Sequence, residues 1–503
     1  MPEKITPELI ISIITLILVI AAIGIMYSLI APLTGQLASI AEETRKTAEA
    51  AAKASEAVAG VAEALKPVAE ALPEVMKRLE AAEKSISELS KTVEELRGLV
   101  KPPRVLRVMN YWAGKDKDAF DRALAVFKLL FPEVDVRVTY LGGTGVDYMA
   151  ALMAKIAAKA PPDVSSMWSG APTAKLVEEG AIIPLDDVWT EIKGDETIGT
   201  VIKEALCMHK GRVYFIPHVY QMEHLVFYNK HTFEQLGLKE PKTWDEFEHI
   251  LEVCKANGII PISSRGPAAS RDLGELFWAI LSRKYGVETC IKLAKGEIPW
   301  TSPEVVDVAR TIREYAIKGY ITRDLREVGW AEWVARVARG YCAMLIRDTW
   351  VIKDFEAAGM KPGVDFGIFP LPPMRAGEAI PVFIYADGWV VFKDAKNIED
   401  AKLWVKTMVS VDAQKAHSVI GKHGLTVNTK VPAELYPPWT RAQIEALREA
   451  IKEGKIVTIE AYYPPGFQDE MEDVLADLVA DIERPVEDIL ATIEELKVKY
   501  YGK

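Results

Sequence analysis

After Pro103, short β-rich runs alternate with helical stretches, and this alternation constrains the fold more than any other feature of the sequence. Arg104–Asn110, Asp135–Tyr140 and Asp163–Met167 are typical of strands, and Asp116–Leu130 and Asp147–Lys159 between them are typical of helices. Such alternation builds βαβ units around a parallel sheet. The sequence therefore predicts an α/β fold, with ligands bound at the carboxyl ends of its strands.

Aromatic residues stand where these strands end. Tyr111-Trp112-Ala113-Gly114 follows the first strand, and Trp168-Ser169-Gly170 follows the third. Because such loops lie on the surface and often carry binding residues, we expect Trp112 and Trp168 to contact a ligand. Further aromatics are placed in later loops: Trp350, Trp389, Tyr462 and Tyr463. Four other tryptophans are predicted to be core residues: Trp189, Trp244, Trp333 and Trp404.

Length and charge exclude several classes of protein. At 503 residues the chain is too long for one domain, and its net charge of −11 opposes binding to nucleic-acid phosphates. The four cysteines (Cys207, Cys254, Cys290 and Cys342) form no C-x-x-C pair, so no zinc or redox site is expected. We interpret them as small buried residues, and their disulfide pairing stays open.

Motifs typical of enzymes are missing from the sequence. There is no H-E-x-x-H, G-x-S-x-G or P-loop motif, so we predict no catalytic residue, no metal and no cofactor. The spacing of His209, His218 and His224 matches no metal-ligand pattern, which indicates surface or hinge positions. Glu223 and Asp387 could act as the acid and nucleophile of a glycosidase only if they lay close together.

The N-terminal region contains an uncharged apolar run. Leu9–Ile30 has 22 residues without a charge, enough at ~1.5 Å per residue to cross a hydrocarbon core of ~30 Å. A cleaved signal peptide is the alternative, but its apolar run is usually only ~7–15 residues. The sequence therefore predicts a tail at residues 1–8 and a membrane-spanning helix at residues 9–31.

A heptad pattern follows the apolar run. Small or apolar residues recur at steps of three and four from Leu37 to Val100, which is typical of a coiled coil. We predict a stalk at residues 32–103 that forms a homo-oligomer through residues 37–100. Pro67 and Pro73 should kink or interrupt it, because each removes a helical hydrogen bond.

An ordered set of short stretches after Pro103 resembles the family 1 extracellular solute-binding proteins, the carbohydrate receptors of ABC importers. The stretches are Pro161-Pro162-Asp163-Val164, Gly180-Ala181-Ile182-Ile183-Pro184-Leu185-Asp186, Tyr228-Asn229-Lys230, Pro241-Lys242-Thr243-Trp244-Asp245-Glu246-Phe247, Thr301-Ser302-Pro303-Glu304, Ala343-Met344-Leu345-Ile346 and Ala386-Asp387-Gly388-Trp389. They run in the family's order from about Arg104 to the C-terminus. No single stretch is diagnostic, so the resemblance depends on their order.

The resemblance implies a two-lobed periplasmic-binding-protein-like (type II) fold with a hinge. Lobe 1 would comprise residues 104–220 and 369–425, and lobe 2 residues 221–368 and the C-terminal helices of 426–503. It also implies a sugar ligand and an ABC permease with its ATPase subunits as partners. With the predicted anchor, the protein would be a single-pass protein of the cell membrane whose lobes are extracellular.

By the same resemblance, nine residues are carried over as ligand contacts. They are Trp112, Asp116, Trp168, Glu223, His224, Trp350, Asp387, His423 and Tyr463. Maltose-type relatives have an acidic and a basic residue just after the position of Trp168, where this chain has Ser169-Gly170-Ala171, and this disfavours a maltodextrin ligand. Two alternatives stay open: a receptor for a peptide or polyol, and an oligomeric cell-surface scaffold that has lost its ligand.

Overall fold

The computed structural model describes residues 38–39, 41–43, 57–99, 104–142, 145–265 and 271–502. The chain divides into two compact units at the boundary between residues 102 and 103. In the first unit, a 43-residue helix spans Ala57–Leu99, about 65 Å at ~1.5 Å per residue. Pro67 and Pro73 lie inside this helix, so neither proline interrupts it, and the alternative of a kink stays a prediction.

The predicted membrane span and the first half of the predicted stalk fall on residues that the structure largely leaves undescribed. No helix of the described segments is both long enough and apolar enough to cross a membrane. The predicted span at residues 9–31 lies outside the described residues, as does most of the stalk before Ala57. Coiled-coil pairing stays a prediction.

The second unit contains strands and helices in alternation. Its strands are β1 (Arg104–Asn110), β2 (Val134–Tyr140), β3 (Val164–Trp168), β4 (Met208–His209), β5 (Arg212–Val213), β6 (Ile216–Met222), β7 (Leu225–Asn229), β8 (Ile260–Ile262), β9 (Cys342–Arg347), β10 (Phe366–Pro370), β11 (Val382–Val391), β12 (Leu425–Thr426) and β13 (Ile456–Val457). Its helices of six or more residues are Lys117–Leu130, Gly145–Ala157, Ala171–Glu178, Asp186–Glu191, Lys230–Leu236, Trp244–Ala256, Arg271–Tyr285, Val287–Ala294, Pro303–Ile317, Trp330–Ala338, Ile352–Ala357, Ile398–Met408, Pro438–Glu453, Phe467–Leu475 and Val486–Tyr501.

The first sheet has seven strands in the order β12-β6-β11-β3-β1-β2, with β13 paired to β11. Strand β1 pairs in parallel with β2 and β3, as the alternation predicts. Strand β11 runs antiparallel to both β3 and β6, so the sheet is mixed, and the predicted parallel pairing is confined to β1, β2 and β3. The physical reason is that β11 comes from far along the chain and not from a βαβ unit.

A second sheet has the order β10-β7-β9-β8. Two clusters of buried apolar residues form the core. The larger cluster contains most of the buried apolar residues of the first sheet and also Leu225 of β7 and Leu345 of β9. Glu223 and His224 connect β6 of the first sheet to β7 of the second. The helix Pro438–Glu453 contributes Ile444 and Leu447 to the larger cluster. The proposed assignment of segments to two lobes stays a prediction.

The interior confirms several residue-level predictions. The four tryptophans expected in the core are at most 3% exposed: Trp189, Trp244, Trp333 and Trp404. All four cysteines are buried and free. Trp389 lies within β11 and is fully buried, so its predicted loop position is wrong.

Asp163, in the Pro-Pro-Asp-Val stretch, forms hydrogen bonds with two separate segments of the chain. Its carboxylate accepts hydrogen bonds from Arg107 Nη2 at 2.8 Å and from the backbone nitrogen of Lys396 at 2.7 Å. Burial alone would raise the pKa of Asp163, but the hydrogen bonds from Arg107 outweigh it and lower that pKa. Asp163 thus joins β1, through Arg107, to the segment that follows β11, through the backbone of Lys396.

The pairing of β11 with β6 is irregular next to Asp387. The register of β11 against β6 shifts between Asp387 and Gly388. A Cβ atom at Gly388 would overlap the backbone oxygen of Ile216 and the ring of Phe215. Only a residue without a side chain fits there, because neither the backbone nor the packed ring can yield easily.

We predict that Gly388→Ala lowers the free energy of unfolding by about 1–3 kcal/mol, because the added methyl group overpacks the junction of β11 and β6. Urea unfolding followed by tryptophan fluorescence measures the change. The control is Gly274→Ala within the helix Arg271–Tyr285, where a Cβ makes an ordinary 3.4 Å contact with Glu472. A Gly388→Ala protein as stable as the wild type would contradict this reading of the bulge.

Candidate functional site

A cavity of about 330 Å³, here called the aromatic cavity, lies beside the ends of β1 and β3. Six of the nine predicted site residues line it: Trp112, Asp116, Trp168, Trp350, Asp387 and His423. Sequence reasoning missed five others: Tyr111, Gln221, Trp330, Asp354 and Tyr385. The structure thus brings together residues from both sheets, as expected for a site at strand ends.

One wall of the aromatic cavity is a stacked aromatic pair. The rings of Tyr111 and Trp168 are 4.0 Å apart between centroids and 18° from parallel. Tyr111 follows β1 and Trp168 ends β3, so the parallel pairing of these strands holds the rings together. Trp112 is only 2% exposed and packs edge-on against Trp389. Tyr111, rather than Trp112, therefore offers the accessible ring at this position.

A second aromatic pair comes from the other sheet. Trp350 follows β9 and stacks on Trp330, with ring centroids 4.6 Å apart. The Trp350 indole nitrogen donates to Asp348 Oδ2 at 2.9 Å, and the hydroxyl of Tyr385 donates to the same oxygen at 3.1 Å. The Arg265 guanidinium lies 4.1 Å from the Trp330 ring centroid. Hydrogen bonds and a cation–π contact thus hold this pair in place.

The carboxyl group of Asp387 lines the aromatic cavity and has a strongly shifted pKa. Its two oxygens accept hydrogen bonds from the Tyr111 hydroxyl at 2.6 Å and from Gln221 Nε2 at 3.0 Å. Gln221 is itself oriented by the Thr349 hydroxyl, which donates to Gln221 Oε1 at 2.9 Å. Burial raises the pKa of Asp387 to about 7, although the two hydrogen bonds oppose the rise. Its charge therefore changes near neutral pH.

Basic and acidic groups meet at the opposite side of the cavity. Lys353 Nζ lies 3.6 Å from Asp116, and His423 Nε2 lies 3.8 Å from the same oxygen. His417 Nε2 and His423 Nδ1 are 2.8 Å apart. Burial and the charge of Lys353 hold the pKa of His423 well below its usual value, so this imidazole is neutral.

The other three predicted residues lie elsewhere. Glu223, His224 and Tyr463 line a separate space of about 20 Å³, here called the small pocket. Glu223 and Asp387 therefore line different cavities, which gives no support to a glycosidase pair. His218 lies inside β6 and is fully buried, so it is not the surface residue considered from the sequence.

The sequence marks one of the missed residues as a candidate and gives no sign of the others. Tyr111 immediately follows a strand, the same signal that singled out its neighbour Trp112. Trp330 begins a helix, and Gln221 and Tyr385 lie inside strands. No local pattern marks such positions as binding residues, because their role depends on which elements are neighbours in space.

The arrangement is suited to binding rather than to bond cleavage. Two aromatic faces offer apolar surfaces, and carboxylate and amide groups between them offer hydrogen-bond acceptors and donors. Among the described residues, no group of three or more His, Cys, Asp or Glu side chains is arranged to hold a metal ion.

Comparisons with known proteins agree with this fold. Residues 131–448 match the family of bacterial extracellular solute-binding proteins. An uncharacterized ABC transporter extracellular-binding protein of Pyrococcus horikoshii is 26% identical over 405 residues, which cover 78% of this chain and 87% of that protein. A probable sugar-binding periplasmic protein of Brucella melitensis is 25% identical over 319 residues, covering 63% of this chain and 73% of that protein.

Solved structures share the fold. A chitin oligosaccharide binding protein superposes with a TM-score of 0.67 at 21% identity, covering 79% of this chain and 99% of that one. The GacH receptor of Streptomyces glaucescens gives a TM-score of 0.65 at 18% identity, covering 80% of this chain and 100% of that one. Because the family match extends over more than half of the sequence, this chain belongs to the bacterial extracellular solute-binding proteins, two-lobed carriers that catalyse no reaction.

Proposed function

We propose that the protein is a membrane-anchored extracellular receptor that binds a sugar reversibly and delivers it to an ABC permease driven by ATPase subunits. The observation that carries the proposal is the aromatic cavity, in which two stacked aromatic pairs flank Asp387 and Gln221. No covalent step is required, because release to the permease needs only reopening of the site.

The chemistry of the aromatic cavity supports a sugar ligand. A pyranose ring has an apolar CH face that packs on an aromatic ring and a rim of hydroxyl groups that need polar partners. Trp168 and Trp350 would supply packing faces, and Asp387 would accept a hydroxyl hydrogen. The volume of about 330 Å³ is at the lower end of the range for small-molecule pockets, ~300–1,000 Å³.

The names of relatives support the same class of ligand. They include a probable sugar-binding periplasmic protein of Brucella melitensis and an alpha-glucosides-binding periplasmic protein of Rhizobium meliloti. A receptor for a peptide or polyol is the alternative within this family. Binding of such ligands alone, with no response to any sugar, would favour it.

Closure of the lobes around the ligand is part of the proposal. Glu223 and His224 connect β6 to β7, and the His224 backbone has a φ of 61°, unusual for a residue with a side chain. A short connection between two sheets is a suitable place for hinge bending. In this proposal residues 104–220 and 369–425 move against residues 221–368 and 426–503.

The anchor and stalk complete the proposed receptor. Residues 9–31 would span the membrane and residues 32–103 would hold the lobes away from it. Large apolar side chains are about half exposed at every seventh position of the helix Ala57–Leu99, namely Leu72, Leu79 and Ile86. Such a stripe favours burial against other copies of the helix. The stalk alone would also suit the alternative function of an oligomeric surface scaffold.

We predict that Trp350→Ala weakens sugar binding by roughly 1–3 kcal/mol, because the ligand loses one packing face. This corresponds to a Kd that is about 5-fold to 150-fold higher. Calorimetry against a panel of mono- and disaccharides measures it. The control Tyr341→Ala removes a ring that is 65% exposed and does not line the cavity. If the wild-type protein binds no sugar of the panel, the proposed function is wrong.

The pKa of Asp387 predicts how sugar binding depends on pH. The ionised carboxylate accepts a ligand hydroxyl, and the fraction ionised rises as pH increases through about 7. We therefore expect the affinity to increase by up to about tenfold between pH 6 and pH 8. Asp387→Asn should bind more weakly and lose this dependence. An unchanged pH profile in Asp387→Asn would mean that another group is responsible.

A third prediction is that the stalk, rather than the lobes, sets the oligomeric state. Light scattering should show the detergent-solubilised full chain as an oligomer and the fragment Arg104–Lys503 as a monomer. Replacing Leu79 and Ile86 together with Ser should dissociate the full chain, whereas Glu83→Ser, outside the apolar stripe, should not. An oligomeric fragment, or a full chain that is monomeric at micromolar concentration, would refute this role of the stalk.

A further inference from the structure

A third cavity shares lining residues with both the aromatic cavity and the small pocket. This cavity of about 610 Å³, here called the linking cavity, shares Trp168 with the aromatic cavity. It shares Glu460 and Gln468 with the small pocket. Trp168 therefore borders both the aromatic cavity and the linking cavity, and Glu460 borders both the linking cavity and the small pocket, so the three spaces are neighbours.

Glutamate side chains dominate the small pocket. Four of its lining residues are glutamates (Glu223, Glu275, Glu460 and Glu472), and none of its described lining residues is Lys or Arg. Gln468 Nε2 donates to Glu460 at 3.0 Å and to Glu472 at 2.8 Å, and Arg347 Nη1, behind the pocket, pairs with Glu275 at 3.0 Å. Glu472 is only 4% exposed. Buried carboxylates require donors or positive charge nearby.

A second observation at the same place concerns His224. Its side chain lines the small pocket and is 3% exposed, and its Nδ1 has no hydrogen-bond partner. Burial and the charge of Arg283 hold the pKa of His224 well below its usual value, so the imidazole is neutral and one ring nitrogen can accept a hydrogen bond. A buried polar atom without a partner is costly, which indicates that a bound group completes this site.

The size of the small pocket limits what that group can be. A volume of about 20 Å³ exceeds the ~10–15 Å³ that one water-sized group needs, but it is far too small for a sugar ring. A primary ammonium group has this size and carries three hydrogen-bond donors and a positive charge. Its bonds to carboxylates are charge-assisted and therefore strong.

We propose that the small pocket binds a primary ammonium group and that the ligand of the receptor is accordingly an amino sugar. This inference rests on the proposed function, because it names the class of sugar that the receptor takes. A free ammonium ion or small amine has the same chemistry, and the experiment separates these two sources.

Calorimetry on the detergent-solubilised full chain compares matched ligands. The probes are glucose, glucosamine and N-acetylglucosamine, the corresponding galactose series, and the β-1,4-linked dimers of glucose and glucosamine. The amino member of each set should bind about tenfold tighter or more than its neutral and N-acetylated counterparts, because only it adds charge-assisted hydrogen bonds. Ammonium chloride and methylamine are titrated alone as probes for a free cation.

Two variants test whether the small pocket causes the preference. Glu472→Gln removes a carboxylate charge at nearly constant size, and Gly274→Ala keeps every carboxylate but places a methyl group 3.4 Å from Glu472 Oε1. Both should lower the affinity for the amino member of each set to that of its neutral counterpart. The matched control is Glu288→Gln, whose side chain is 74% exposed on another helix. Thermal melting checks that each variant is folded.

The outcomes separate this inference from the proposed function. Neutral sugars that bind as tightly as amino sugars, together with no binding of ammonium or methylamine, would overturn the inference and leave the sugar receptor intact. A preference for amino sugars that persists in both folded variants would also overturn it. Binding of methylamine that depends on Glu472, without any preference among sugars, would keep the ammonium site and reject the amino-sugar class. If methylamine binds in this way but no sugar binds at all, the proposed function fails and the ammonium site stands.

Discussion

The antiparallel pairing of β11 with β3 and β6 is the constraint on which the rest of the globular structure depends. All ten residues of β11 are buried, and its register sets Asp387 opposite Trp168 and Tyr385 opposite Gln221. A slip of one residue would turn Asp387 to the other face of the sheet. The register shifts by one residue at His218 of β6, opposite Asp387 and Gly388, and a Cβ atom at Gly388 would overlap the backbone oxygen of Ile216. The geometry of the aromatic cavity thus depends on the register of β11 against its two neighbouring strands.

A buried charge network supports the second wall of that cavity and extends towards the small pocket. Asp348 accepts hydrogen bonds from Trp350 and Tyr385, and Arg347 pairs with Glu275. Glu275 Oε2 in turn accepts the backbone N–H of His224, at the connection between the two sheets. Burial and the charge of Asp348 raise the pKa of Glu275 well above its usual value. Such networks cost free energy because their charged groups lose hydration, but they favour one arrangement of their side chains. The aromatic pair, the connection between the sheets and the small pocket are therefore physically coupled.

Local patterns predicted much of this architecture and only part of the candidate site. The alternation after Pro103 predicted β1, β2 and β3 and the helices between them to within about two residues, the usual uncertainty of element ends. The end of β3 predicted a ligand-facing position for Trp168, which lines the aromatic cavity. The same reasoning chose Trp112, whereas its neighbour Tyr111 has the accessible ring. Sequence spacing could not separate these two residues, because the direction of a side chain in a loop depends on what packs beneath it.

By itself, the sequence determined the alternation of strands and helices, the position of an uncharged apolar run, the heptad stripe and the acidic character of the chain. Each of these is a property of neighbouring residues or of composition and can be recognised without knowing the fold. Only the tertiary structure decided that Glu223, His224 and Tyr463 lie apart from the other predicted contacts, and that Trp330 faces Trp350. It also decided the register of β11, because a strand buried on both faces has no alternation of apolar and polar residues from which a register could be predicted.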